Sequence, residues 1–233
     1  MLWVKADLHI HTNRSDGSPS PREAIHYAYY YRGLKIVSIT DHDTFQGSID
    51  AKKYVENLNG ELLLVIGNEV RTDNGDVLVY CMEPIDTYRS IDKLLEKAHD
   101  NNCIVVPAHP FDKFRFGIGD LVYSYKWDAI EVWNPHASKG ANRKALEAAK
   151  KLDIAGLSCS DAHILEAIGT AYTEIYVDNL DFESFRKALE KKLVKPYFGT
   201  WNFRVLVKHT VHAVRTILAN RCRKHNVDFE TDT

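Results

Sequence analysis

The sequence has little of several features that identify specialised classes of protein. Four cysteines in 233 residues are too few for a disulfide-rich scaffold, and their spacing lacks the pairs typical of zinc sites. Cys81, Cys103 and Cys159 lie within apolar runs, so we expect buried free thiols and a reduced, cytoplasmic protein. Lys5 and Asp7 interrupt the first apolar residues, and a secretion signal is therefore not expected.

The chain also lacks a long apolar run and a strong charge bias. Apolar runs such as Leu62 to Ile66 are far shorter than the roughly 20 residues needed to cross a bilayer, so no membrane contact is expected. The formal net charge of -2 predicts no general affinity for nucleic acid or an anionic membrane. A hydrophobic content of 45% and a charged content of 27% are typical of a globular protein.

Short apolar stretches alternate with helical patterns over most of the chain. The predicted strands are Trp3–Ile10, Lys35–Thr40, Leu62–Asn68, Cys103–Ala108, Ala129–Trp133, Ile154–Ser158 and Tyr172–Val177, with an extra strand at Val77–Met82. Most are continuous apolar runs, which is typical of parallel strands covered by helices. Helices are predicted between most of them, the first beginning at Ser20 with a capping box to Glu23. This α/β order favours a (β/α)7 TIM-like barrel, with an open doubly wound sheet as the alternative.

The last 33 residues differ from the rest of the chain. Apolar residues from Phe203 to Leu218 have helical spacing, which predicts a C-terminal helix. That segment is rich in basic residues, and acidic residues follow at its tip: Arg204, Lys208, Arg215, Arg221, Arg223, Lys224, then Asp228, Glu230, Asp232. We predict a metal-binding barrel domain over residues 1–200 and a basic helix with an acidic tip over 201–233. The helix either packs on the barrel with a solvated basic face or contacts RNA, phosphate or a partner.

Side chains that bind divalent metals follow successive predicted strands. The candidates are His9, His11, Asp16, His42, Glu69, Asp76, His109, Asp161 and His163. His9 and His11 are two residues apart on a predicted strand, so their imidazoles share one face. Asp161 and His163 repeat this spacing after the sixth strand. Because a barrel gathers the ends of its strands at one rim, we expect these side chains to form one cluster.

Electrostatics explains why this cluster predicts bound metal. Two carboxylates about 4 Å apart repel by roughly 4 kcal/mol at an effective dielectric constant near 20, and divalent cations remove that repulsion. Mixed imidazole and carboxylate ligands favour Zn, Mn or Fe, and we expect two or three ions. Some acids have simpler interpretations. Asp16 is either a ligand or a turn residue, and Asp41 and Asp43 either orient an imidazole or cap a helix.

Six motifs in order resemble the PHP (polymerase and histidinol phosphatase) superfamily: DLHIHTNRSDG, ITDHDT, GNEV, AHP, EVWN and SDAH, between residues 7 and 163. The resemblance implies a distorted seven-stranded β/α barrel with a three-metal site. It implies the following ligands: His9, His11, Glu69 and Asp161 for the first metal, Glu69 and His109 for the second, and Asp16, His42 and His163 for the third. Many members have a histidine near the position of Asp76, which is therefore either a substitute ligand or a turn acid.

The resemblance also implies a metal-dependent phosphoesterase that hydrolyses a phosphomonoester or nucleotide through a metal-bridged hydroxide. The catalytic candidates are Glu69, Asp161 and His136, the last as the acid for the leaving group or else a structural residue. Asn134 and Arg143 are candidates for substrate contact, although Arg143 also fits a solvated helix position. We expect a small phosphorylated substrate such as a nucleotide or a short RNA end. The alternatives are a histidinol-phosphate phosphatase and a non-catalytic metal-binding regulatory or RNA-binding module.

Overall fold

The structure, a computed structural model, describes residues 2–230, with side chains described up to residue 218. The strands are β1 (Leu2–Asp7), β2 (Ile36–Ile39), β3 (Leu63–Arg71), β4 (Asp76–Cys81), β5 (Ile104–Pro107), β6 (Ala129–Trp133), β7 (Ala155–Ser158), β8 (Tyr172–Val177) and β9 (Val194–Tyr197). The α-helices are α1 (Pro21–His26), α2 (Gln46–Glu56), α3 (Ile91–Asp100), α4 (Lys139–Leu152), α5 (Phe182–Glu190) and α6 (Phe203–Glu230). The predicted α/β order is confirmed.

The hydrogen-bonded sheet is open. Seven strands pair in the order β5-β4-β3-β2-β1-β8-β9, and β6 and β7 form a separate parallel pair. Among the described residues, only β1, β2 and β3 are parallel neighbours in the larger sheet, because β4, β5, β8 and β9 each pair in antiparallel fashion. A closed seven-stranded barrel of parallel strands is therefore not confirmed.

Side chains connect the small β6–β7 sheet to the larger sheet. The Asp128 carboxylate accepts a hydrogen bond from Val105 N at 2.8 Å, and Asp128 N donates to the Val105 carbonyl at 3.1 Å. At the other edge, Thr173 Oγ1 accepts from Ser158 N at 2.8 Å, and Ser158 Oγ donates to the Tyr197 carbonyl at 2.7 Å. In the part of the chain that the structure describes, no strand ladder joins the two sheets, so the sheet curls around a common interior without a continuous ring of strands.

The interior is filled by alternate residues of the strands. Leu8, Leu78 and Tyr80 are fully buried there, and the Tyr80 hydroxyl donates to the Leu8 carbonyl at 2.9 Å. Phe185 of α5 packs edge-on against Tyr80, with ring centroids 6.5 Å apart. Since one face of each strand is fixed by this core, the register of the strand ends is fixed as well.

The helices begin at residues that the sequence indicates. Ser20 forms the predicted capping box with Glu23, and α1 continues into one turn of π-helix at Tyr27–Tyr31. Ser90 and Asp181 cap α3 and α5 through their side chains. Each of these caps satisfies backbone N–H groups that the first turn of a helix leaves free.

The cysteine prediction is wrong for two of the three residues. Cys81 and Cys103 form a disulfide, whereas Cys159 is a buried free thiol. The reason lies in the pairing of β4 with β5, which sets Tyr80 opposite Ile104 and so brings the next pair, Cys81 and Cys103, to a Cα–Cα distance of 4.4 Å. That separation is compatible with a disulfide, and it depends on a strand pairing that residue spacing alone does not reveal.

The C-terminal helix is present and packs on the rest of the molecule near its start. Val205 is buried, and Lys208 forms an ion pair with Glu166. Arg204 and Arg215 are exposed. The other residues of the predicted basic face and acidic tip lie outside the described side chains: Arg221, Arg223, Lys224, Asp228, Glu230 and Asp232. Among the described residues, no helix combines the length and apolar character needed to span a bilayer.

Candidate metal centre

Eight of the nine predicted ligands meet at one rim of the curled sheet. They lie at or just after the ends of β1, β2, β3, β5 and β7: His9, His11, Asp16, His42, Glu69, His109, Asp161 and His163. Isolated backbone bridges hold these ends together, one between Ile10 and Ala162 and one between His42 and Glu69. The convergence of distant segments that the sequence predicts is therefore present in the structure.

Five of these side chains form a buried inner group: His9, His11, Glu69, His109 and Asp161, each at most 5% exposed. The Nε2 atoms of His9 and His11 are 3.1 Å apart. Glu69 Oε2 lies 3.2 Å from both of them, and Glu69 Oε1 lies 3.1 Å from His109 Nε2. Asp161 Oδ1 is 3.5 Å from His9 Nε2 and 3.2 Å from His11 Nε2. The two oxygens of Glu69 thus face different imidazoles, as a carboxylate that bridges two cations would.

Three more side chains form a half-exposed outer group: Asp16, His42 and His163. Asp16 Oδ1 is 3.2 Å from His163 Nε2, 3.7 Å from His42 Nε2 and 3.8 Å from His11 Nδ1. His42 Nδ1 is also 3.1 Å from Glu69 Oε2, which joins the outer group to the inner one. Gly17 permits this loop, since a Cβ there would lie 2.4 Å from the His11 carbonyl oxygen.

The electrostatics of the inner group fit divalent cations. Burial opposes protonation of His9, but the negative charges of Asp161 and Glu69 outweigh it and raise the pKa well above its usual value. For His11, hydrogen bonds to the same carboxylates outweigh burial and raise the pKa to about 10. Two imidazolium rings with Nε2 atoms 3.1 Å apart would repel each other. A cation between these nitrogens would replace both protons and balance the carboxylates.

The backbone is unusual at two of the inner positions. His109 has a φ of 30° and Asp161 a φ of 50°, both in the left-handed region that non-glycine residues rarely adopt. Such conformations cost free energy and concentrate at functional sites. Here they turn the imidazole and the carboxylate toward the centre at the ends of β5 and β7.

Glu131 is a site residue that sequence reasoning did not single out. Its Oε1 lies 3.1 Å from His9 Nδ1, and its Oε2 accepts a hydrogen bond from His109 N at 2.6 Å. By accepting from Nδ1, Glu131 leaves the His9 Nε2 lone pair free for a cation. A carboxylate inside the apolar run Ala129–Trp133 was the available signal, because a buried acid requires a partner.

Asn134 is fully buried beside this carboxylate. Its Nδ2 donates to Asp161 Oδ2 at 3.0 Å and to Glu131 Oε2 at 3.3 Å. Arg115 also donates to Asp161, and its Nε donates to Asp112 Oδ2 at 3.2 Å. Asn134 therefore holds Asp161 in place, and its contact with substrate stays a prediction. The sequence analysis missed Arg115, which follows the AHP motif by several residues.

Asp76 lies outside the ligand groups of the described residues. It forms a two-pronged ion pair with Arg71, with Nε–Oδ1 at 3.0 Å and Nη2–Oδ2 at 2.9 Å. Asp76 begins β4 and its side chain is buried, so it is not a solvated turn acid. Arg71 already balances its charge, and a role for Asp76 as a ninth ligand stays a prediction.

Asp41 and Asp43, the two acids beside His42, neither orient an imidazole nor cap a helix. Asp41 accepts hydrogen bonds from Thr12 N at 2.7 Å and Ser15 Oγ at 2.6 Å, so it fastens the loop after β1. Asp43 Oδ1 accepts from Arg71 N at 2.8 Å. Helix α2 begins without a side-chain cap. Both acids organise the loops that carry the ligands.

His136 and Arg143, the remaining predicted site residues, differ in their exposure to solvent. His136 is partly buried, with its ring 4.1 Å from that of Trp201 and 4.4 Å from that of His209. Burial lowers the pKa of His136 well below its usual value, which does not favour the predicted role as an acid. Arg143 is exposed on α4 and has no ion-pair partner among residues 2–218.

Comparison with known proteins identifies the family. Residues 139–193 match the PHP-associated family. Over 149 residues the chain is 30% identical to an uncharacterized protein of Methanocaldococcus jannaschii, covering 59% of this chain and 85% of that protein. The fold is similar to a two-domain protein of Bacteroides vulgatus that contains a predicted PHP-like metal-dependent phosphoesterase. The TM-score is 0.70, with 18% identity over 85% of this chain and 65% of that one. The chain belongs to the PHP superfamily.

A shorter stretch of this PHP protein is similar in sequence to a nuclease. A stretch of 72 residues is 38% identical to the 5′-3′ exoribonuclease of Haemophilus influenzae, covering 31% of this chain and 25% of that protein. PHP membership agrees with the open, curled sheet and with the ligand cluster at its rim. The predicted membership of the PHP superfamily is therefore confirmed.

Proposed function

We propose that this chain is a metal-dependent phosphoric ester hydrolase that acts on a phosphomonoester or a nucleotide. The observation that carries the proposal is the position of Glu69. Its two buried oxygens lie 3.1–3.2 Å from nitrogens of four imidazoles that come from three different segments: His9, His11, His42 and His109. A carboxylate surrounded in this way is suited to bridge two cations.

The donor set fits two or three ions of Zn, Mn or Fe. Imidazole nitrogens outnumber carboxylates, which favours these metals over Ca or Mg. The inner group would hold one or two of the ions and the outer group the other. When bound, such ions make hydroxide available at neutral pH and hold the oxygens of a phosphoryl group.

The chain's own residues prepare the site for this chemistry. Glu131 fixes the His9 ring with Nε2 toward the centre. Asn134 and Arg115 both occupy Asp161 Oδ2, which leaves Oδ1 to face the imidazoles. Removal of a residue that holds a metal ligand in place typically changes metal affinity or activity by 10–100-fold. They keep the ligand geometry fixed while a substrate binds at the half-exposed outer side.

The substrate class rests on two lines of support. The outer group is open to solvent, so a phosphoryl group can approach it from outside. The partial match to an enzyme named as a 5′-3′ exoribonuclease favours a nucleotide or a short RNA end among phosphorylated substrates. Histidinol phosphate is the alternative small substrate, and a non-catalytic metal-binding module is the alternative function.

We also propose that residues 1–200 form the metal-binding domain and that residues 201–233 pack on it. The buried Val205 and the ion pair between Lys208 and Glu166 support this division. The direct test of function begins with elemental analysis of protein purified without added metal. Hydrolysis of a nucleotide, histidinol phosphate and a short 5′-phosphorylated RNA is then measured with added Mn or Zn.

The same assays are run on a His9→Ala, His11→Ala double variant and on a His99→Ala control, whose ring lies outside the centre. We expect metal-dependent turnover in the parent chain and in the control, and none above background in the double variant. Turnover that survives in the double variant would refute the proposed site. Absence of turnover in the parent chain on every substrate would favour the non-catalytic module.

A further inference from the structure

Helix α6 brings aromatic and imidazole rings to the edge of the outer group. We define the α6 wall as Trp201, His209 and His136. The His209 ring lies 4.5 Å from Trp201 and 4.4 Å from His136, and its centroid is 5.9 Å from that of His163. Since His163 belongs to the outer group, the α6 wall adjoins the candidate metal centre.

Two polar contacts hold α6 in this position. His212 Nε2 donates a hydrogen bond to the Asp16 carbonyl at 2.7 Å, one turn along α6 from His209. Lys208 forms an ion pair with Glu166 at the other side of the same turn. The helix is therefore attached to the loop that carries Asp16, and His209 is held against His163.

Several nitrogens at this place have no hydrogen-bond partner within the described part of the chain. Trp201 Nε1, His136 Nε2 and Arg115 Nη2 are all shielded from solvent and unpaired. Indole and guanidinium N–H groups can only donate, so the missing partner must be an acceptor. A buried donor without an acceptor is costly, which indicates that a ligand or water completes these bonds.

One of the unpaired donors belongs to a cation, and a charge-assisted hydrogen bond from it suits an anionic acceptor. Arg115 carries a full positive charge, and its two carboxylate partners, Asp112 and Asp161, are on its other nitrogens. The other two unpaired nitrogens, Trp201 Nε1 and His136 Nε2, belong to rings of the α6 wall.

We propose that the α6 wall and Arg115 form a substrate subsite for a second anionic group, next to the phosphoryl group bound at the metal centre. The inference rests on the proposed function and extends it. A substrate with two phosphates, as in an oligonucleotide, would satisfy both the metal centre and the subsite. A mononucleotide would bind at the metal centre alone.

The test compares a 5′-phosphorylated dinucleotide with the matching mononucleotide on full-length, metal-loaded protein. Trp201→Phe removes the indole N–H and keeps a ring, and His209→Ala removes the α6 imidazole. Thr210→Ala is the control, because Thr210 is exposed and its hydroxyl bonds only to Leu206 of the same helix. KM, kcat, metal content and melting temperature are measured for each variant.

We expect KM for the dinucleotide to rise roughly tenfold in each of the two test variants, the loss typical of one hydrogen bond to a charged group. The kcat, the mononucleotide KM, the metal content and the control should stay within about twofold. An equal loss on both substrates would overturn the subsite. Loss of one metal ion in His209→Ala would also overturn it, because His209 would then be a ligand.

The subsite can be tested even if the chain shows no turnover. Calorimetric titration of the metal-loaded parent chain with the two nucleotides then replaces the kinetic assay. Tighter binding of the dinucleotide that disappears in Trp201→Phe supports the subsite while the proposed function fails. Equal affinity of the parent chain for both nucleotides overturns the subsite.

Discussion

The inner and outer groups of the candidate metal centre are built in different ways. The inner side chains are at most 5% exposed and come from strand ends that the core holds in register. The outer side chains of Asp16 and His42 are 39% and 31% exposed and come from loops. Sites on regular elements are held more firmly than sites on loops. The comparison therefore predicts a tightly bound inner cation and a more exchangeable outer one.

The residues that hold the two groups in place also come from different parts of the structure. The inner ligands rest on Glu131 and Asn134, which are both buried on or beside β6. The loop of Asp16 rests on Asp41 and on His212 of α6. Part of the outer group is thus organised by the last helix of the chain, almost 200 residues away from Asp16 in sequence. The outer group should respond to changes that leave the inner group intact.

Glu69→Gln should weaken both groups at once. The change removes one negative charge from a carboxylate that contacts imidazoles of both groups, so both cations should weaken. We expect loss of at least one metal equivalent. Activity should fall by well over the 10–100-fold that is typical when a residue that only orients a metal ligand is removed. Elemental analysis and steady-state kinetics measure both. Glu61→Gln, at an exposed glutamate, is the matched control. Full metal content in Glu69→Gln would contradict the bridging role.

Asp16→Asn should affect the outer group and spare the inner one. The amide keeps the size of the side chain but removes the charge that faces His163 and His42. We expect loss of about one metal equivalent, with the inner cation kept, and an activity loss of roughly 10–100-fold. Metal titration followed by elemental analysis measures the stoichiometry.

Asp50→Asn is the control for Asp16, because Asp50 pairs with Arg14 of the same loop at 2.6 Å but takes no part in the centre. Its metal content should equal that of the parent chain. Loss of both metals in Asp16→Asn would show that the inner and outer groups do not bind metal independently.

The sequence predicted which side chains converge, because most of them follow an apolar strand. Strand ends meet at one rim whether or not the sheet closes, so the cluster of His9, Glu69 and Asp161 did not depend on the number of parallel strands. The closed barrel was a weaker inference. Continuous apolar runs indicate burial on both faces, but they do not distinguish a parallel neighbour from an antiparallel one such as β8.

What the sequence did not predict depends on contacts between distant segments. The pairing of Cys81 with Cys103 required the register of β4 and β5. The contact of Arg115 with Asp161 and the position of His209 beside His163 required the folded loops and α6. None of these contacts has a local sequence pattern, because each joins residues that are far apart in the chain.

Asp76→Asn tests whether the inner group extends to Asp76. If Arg71 alone accounts for this carboxylate, Asp76→Asn should leave the metal content unchanged. The free energy of unfolding should change by about 1 kcal/mol or less, since the freed Arg71 side chain is 48% exposed and can be hydrated. Chemical denaturation and elemental analysis measure the two quantities, with Asp73→Asn in the same hairpin as the control. Loss of a metal equivalent in Asp76→Asn alone would show that this carboxylate replaces the histidine of other PHP proteins, and the inner group would then have a sixth member.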